Sequence, residues 1–164
     1  MIDFNELTER WAMAYKPMQH NPAADSLEKH FVVFTGSFPE ARTLLANGGL
    51  KTPLVMLCAD KEGDIIDNLD HPEVHLYFLV KATDALHQAG DVATEEAYGH
   101  MNKFITYLHG YKYDKPKEAQ GLMLDKMKYY SIDMKWDGWF GIALDMIGFK
   151  GINKCVNPED YVTP

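Results

Sequence analysis

The run "TPLVMLCA" (residues 52–59) constrains this chain more than any other stretch. It is continuously apolar, yet far shorter than the roughly 20 residues a membrane-spanning helix needs. A short apolar run of this kind reads as a central strand covered on both faces of a sheet. A second strand, "EVHLYFLVKA" (73–82), follows it. Val74, Leu76, Phe78 and Val80 alternate along one of its faces. The intervening "DKEGDIIDNLDHPE" (60–73) is acidic and reads as a loop.

The remaining segments arrange themselves around this pair. "DFNELTERWAMAY" reads as a helix: Asp3 is placed to cap it and Glu6 completes a capping-box spacing. Phe4, Leu7, Trp11 and Ala14/Tyr15 recur on one helical face, and Pro17 marks the end. "HFVVFT" (30–35) is a strand. "SFPEARTLLANGG" is a short helix with Ser37 as cap, Pro39 in the first turn and Asn47-Gly48-Gly49 at its close. "ATEEAYGHMNKFITYLHG" predicts a helix capped by Thr94 and ended by Gly110. Its apolar stripe is Ala97, Met101, Phe104, Ile105 and Leu108. The lysine-rich "YKYDKPKEAQG" reads as a loop. A last hairpin runs out over about 122–133 and back over 139–147, and "GINKCVNPEDYVTP" is irregular. The order α-β-α-β-β-α-β-β predicts an α+β fold: a mainly antiparallel sheet with helices packed on it, residues 1–164 forming one domain.

Charge narrows the partners. The formal net charge is −8, and residues 51–110 carry 10 acidic against 4 basic side chains. Such a field opposes tight binding to phosphate backbones and to anionic membranes. The opening "MIDFNELTER" is amphipathic and acidic, so no secretory leader is expected. With only Cys58 and Cys155, no disulfide framework is expected and a reducing cytoplasm fits; Cys58 reads as a small core residue.

The motifs of common chemistries are weak. His71 and His75 are four apart, but Pro72 and the strand pattern place them about 13 Å from one another, as loop and strand-edge histidines rather than metal ligands. "DKEGD" has its glycine at the fourth rather than the sixth position of a calcium loop, with no glutamate at the twelfth. "TGSFP" lacks the G-x-S-x-G elbow, and Gly48-Gly49 follow a helix instead of preceding one. Asp133, Asp137 and Asp145 near the last hairpin read as turn and solvent-facing carboxylates. The expectation is a protein that is not an enzyme and takes no cofactor or metal.

"KWDGWFG" (135–141) raises a different question. Asp137-Gly138 is a turn signal, which would bring Trp136 and Trp139 to a hairpin tip with Phe140 behind them. Two readings stand. The tryptophans clasp each other across the turn, a cross-strand pair worth about 0.2–1 kcal/mol. Alternatively, Trp136, Asp137, Trp139 and Phe140 form an aromatic anchor for another protein.

An amphipathic first helix, a strand and short helix, the "TPLVMLCA…HLYFLVKA" hairpin, a helix and a closing hairpin with "DGWFGIAL", then "CVNPEDY", together resemble the small tail-completion or tail-terminator proteins of bacteriophages and prophages. The resemblance spans roughly residues 1–160. It implies a non-enzymatic α+β domain that assembles into a ring, usually a hexamer, at the neck or tail end of the virion after synthesis in the bacterial host cytoplasm. Its partners would be further copies and adjacent tail or neck proteins. DNA would pass through the channel without specific binding. The acidic segment, with Asp60, Glu62, Asp64, Asp67 and Asp70, is then expected to face the lumen or a ring interface. Two other functions compete: a small cytoplasmic enzyme or ligand-binding domain with an aromatic site near Trp136 and Trp139, and an adaptor that binds a peptide along a sheet edge.

Overall fold

A computed structural model describes residues 3–25, 28–34, 38–47, 50–58, 63–66, 69–82, 87–136, 138–147 and 150–151. The elements in chain order are α1 (Phe4–Ala14), β1 (Phe31–Phe34), α2 (Phe38–Asn47), β2 (Leu54–Cys58), β3 (Gly63–Ile66), β4 (Leu69–Lys81), α3 (His87–Asp114), β5 (Lys128–Trp136), β6 (Trp139–Ile147) and β7 (Lys150–Gly151). A single 3₁₀ turn at Leu124–Lys126 precedes β5. The protein is α+β, as its sequence predicts.

Five strands pair in the order β1-β2-β4-β6-β5. All pairings are antiparallel except β1 with β2, which are parallel because α2 carries the chain back between them. The alternation of each strand divides the side chains between two faces. On one face Val55, Leu57, Val74, Leu76, Phe78, Val80, Ile142, Leu144 and Met146 pack beneath α1 and α3. On the other, Leu54, Met56, Leu79 and Trp139 pack beneath Ala41 and Leu45 of α2. Leu54, Val55, Met56 and Leu57 are all buried, so the unbroken apolar run of β2 is the signature of this two-sided cover.

The first face is dominated by aromatics. Trp11 of α1 meets Phe104 of α3 edge-on at 5.0 Å and Phe78 of β4 at 6.0 Å, and stacks on Tyr15 at 4.8 Å. The capping expected for α1 is present: Asp3 Oδ1 accepts the backbone N–H of Asn5 (2.9 Å) and of Glu6 (3.1 Å). Glu6 turns to Arg10 one helical turn on instead of closing a capping box.

α3 departs from its predicted ends. It starts at His87, so Thr94 lies inside it and donates its hydroxyl to the Gly90 carbonyl at 2.9 Å instead of capping. The helix also passes through Gly110 and ends at Asp114, taking in residues 111–114 of the expected loop. Pro116, two residues on, prevents the helix from continuing. A Cβ at Gly90 would lie 2.6 Å from the ring of Phe140, so the glycine lets helix and β6 approach closely.

β4 runs on past the main sheet. Residues 73–81 pair with β6, and 75–79 of them also with β2. Residues 69–72 instead pair with β3, and Leu69 and Asp70 also with β7. Pro72 stands at this joint; it has no N–H to offer a ladder, which suits the place where one sheet gives way to the next. The expected 60–73 loop is thus partly a hairpin arm, with Asp64 opposite His71 and Ile65 opposite Asp70.

Candidate functional site

The last hairpin turns through Gly138, whose φ of +86° is one a glycine adopts without strain. In register, Trp136 stands opposite Trp139. The turn is not free. The Ala82 N–H at the end of β4 donates to the Gly138 carbonyl at 2.8 Å.

Trp139 corrects the sequence reading. It is 1% exposed, and its indole N–H donates to the Leu45 carbonyl of α2 at 3.2 Å. Lys81, its neighbour on β4, holds its ammonium 5.7 Å from the ring centre. A side chain so enclosed anchors α2 to the sheet and cannot reach a partner. Phe140, on the opposite face, is partly buried against the aromatic core and Gly90. Trp139 is therefore no surface anchor. Asp137 lies outside the described residues, as do Asp60, Glu62 and Asp67 of the acidic segment; Asp64 and Asp70 occupy strand positions on the arm.

Two other expectations change. Cys58, the last residue of β2, is only partly buried and packs at the margin of the α2 cluster instead of inside it. His75 is no strand-edge residue: β4 lies between β2 and β6, and His75 Nδ1 is 2.7 Å from Asp145 Oδ1. Asp145, expected to face solvent, is therefore engaged.

The outer strands of the sheet are the broadest candidate interaction surfaces. Among the described residues, nothing pairs with the outer edge of β1 or of β5. β5 exposes Tyr129 (56%) and Tyr130 (48%), and β1 exposes Val33 (44%). Tyr129 also contacts Tyr98 of α3, with ring centres 5.5 Å apart. The two edges differ: β1 pairs inward in parallel, β5 antiparallel. The register of β5 slips between Ile132 and Trp136, an irregularity that bends an edge strand.

Among the described residues, no three His, Cys, Asp or Glu side chains group to hold a metal ion, and no helix is long and apolar enough to cross a membrane. No family model matches the chain, nor does any curated protein or solved structure.

Proposed function

We propose that this chain is a non-enzymatic structural protein of a phage or prophage particle that assembles into a ring at the neck or tail end. The observation that carries the reading is the pair of unlike, apolar-bearing outer strands. A ring closes when each copy offers two different surfaces to its neighbours. β5 of one copy, with Tyr129 and Tyr130, and β1 of the next, with Val33, would supply such a contact.

The arm of β3 and residues 69–72 lies beyond the part of β4 that pairs with β2 and β6, and would line the channel or meet the adjacent ring. The charge of the chain suits a lumen through which DNA slides without sticking. The peptide-binding adaptor rests on the same open edge and is the second reading. The ligand site at paired tryptophans is not carried forward, because Trp139 belongs to the core.

Mass spectrometry of purified particles, with electron microscopy of the concentrated protein, tests the ring. The expected result is presence in particles and rings in which Tyr129→Lys blocks assembly while lowering the unfolding midpoint only slightly, through the lost contact with Tyr98. A chain absent from particles and monomeric at every concentration would defeat the proposal. A monomer that takes up an extended peptide would favour the adaptor. Charge reversal at Asp64 that leaves assembly and DNA passage untouched would remove the lumen role from the arm.

A further inference from the structure

At the margin of the cluster that α2 covers, the second face of the sheet carries a row of reactive side chains, one from each of four neighbouring strands. Cys58 on β2 is directly opposite His75 on β4. His75 is directly opposite Asp145 on β6, and Asp145 is opposite Lys128 on β5. Opposed residues in antiparallel strands have Cβ atoms about 4.5–5.5 Å apart, a gap that a thiol and an imidazole span. Tyr130 shares this face of β5. Burial, and then the nearby negative charges of Asp145 and Cys58, push its phenol above the usual range.

The order of the row matters chemically. A carboxylate only accepts, so the 2.7 Å contact with Asp145 fixes the proton of His75 on Nδ1. Nε2 is then the basic nitrogen, and the thiol of Cys58 is the acid across the strand pair. We propose that Cys58, His75 and Asp145 form a nucleophilic thiol site whose ligand is a small disulfide, taken up as a mixed disulfide on Cys58. Cys58 is the nucleophile, His75 the base, and Asp145 a positioning residue. The site stands independently of the ring reading.

The step balances without a further reactant. The Cys58 S–H proton passes to His75 Nε2, and the thiolate attacks one sulfur of the disulfide. A new S–S bond forms as the old one breaks. The departing thiolate takes the proton back from the imidazolium and leaves as a thiol. Cys58 is oxidised to the mixed disulfide, and half of the ligand is reduced. Disulfide exchange suits the location, because it needs no oxyanion donors. The backbone N–H groups of β2, β4 and β6 around the row are engaged in the ladders.

The test uses the full chain carrying Cys155→Ser, so that Cys58 is the single thiol. The probe is dithiobis-nitrobenzoate, an aromatic disulfide with a coloured leaving thiolate, and the readout is its rate of reaction across pH. Glu73, Lys128, Tyr77 and Tyr130 also face this part of the sheet, so the inflection is read against variants and not alone. The expected profile inflects below the ordinary thiol value of about 8.5. Asp145→Asn should move the inflection upward and slow the reaction near neutrality about tenfold, and His75→Ala should slow it at least as much. Asp145→Asn preserves shape, so it reports even where His75→Ala fails to fold. A profile that inflects at the ordinary thiol value and is unchanged by Asp145→Asn would overturn the proposal. So would a thiol that reacts only after denaturation.

Discussion

The two faces of the sheet are held in different ways. Under α1 and α3, Trp11, Tyr15, Phe78 and Phe104 contact one another, so cohesion is spread over several large rings. Under α2, a ten-residue helix rests mainly on aliphatic side chains, with Phe34 and Tyr77 partly buried at the margin, and one fully buried tryptophan supplies a directed bond. Redundant packing tolerates a single loss better than packing around one keystone, because neighbours close part of a cavity only where they are large and numerous.

The strongest way to break this contrast is to truncate one ring on each face. Trp139→Ala and Phe104→Ala should each cost about 3–5 kcal/mol, measured by urea unfolding. Their local effects should differ. Trp139→Ala should strip hydrogen-exchange protection from α2 well before global unfolding, whereas Phe104→Ala should lower protection across α1, α3 and the sheet together. Equal exchange patterns in the two variants would mean that α2 is no more dependent on one residue than the other face is.

Next in size is a backbone contact on the α2 side. A Cβ on Gly141 would lie 2.1 Å from the carbonyl oxygen of Phe78 on the neighbouring strand. Gly141→Ala should therefore destabilise by about 1–3 kcal/mol or more, since ladder atoms have no room to yield. The opposite sign is expected on α3, where Gly99 and Gly110 have nothing within 4 Å of an added Cβ. Alanine there should stabilise by about 0.5–1 kcal/mol through helix propensity alone. Thermal or urea midpoints for the three variants check both signs.

The smallest effect is a titration confined to the aromatic face. Burial holds His20 and His100 below the ordinary histidine value of 6.5; Glu9 and Glu96 oppose the shift without cancelling it. A lowered folded value means the unfolded chain binds protons first. Stability should thus be flat above 6.5, fall as the pH drops through it, and stop falling once both folded values are passed. Urea midpoints across this range should show that slope, and His20→Gln with His100→Gln should flatten it. A midpoint that rises on acidification would contradict the assignment.

Sequence patterns carried much of this fold, and their failures have physical causes. The Asp3 cap, the apolar run of β2 and the alternation of β4 and β6 are local signals, and the structure contains all of them. The start of α3 was obscured because Thr94, a good capping residue, mimics a boundary; inside the helix its hydroxyl bonds back to the Gly90 carbonyl instead. Trp139 beside a turn signal suggests exposure. Only the crossing of α2 over the sheet, set by the parallel return of β2 to β1, encloses it. Likewise His75 and Asp145 are 70 positions apart, and nothing short of strand register places them together.

That separation also bears on how fast the chain finds its fold. β1, α2, β2, β3 and β4 follow one another in sequence and can associate locally. β6 must reach β4 across all of α3 before the sheet is complete. Closing such a long segment carries an entropy cost that local contacts do not offset until the pairing is made, so this topology should fold more slowly than a helical bundle of the same length. The expected late closure is the β4–β6 seam, where His75 meets Asp145, so substitutions along it should slow refolding more than they speed unfolding in stopped-flow measurements.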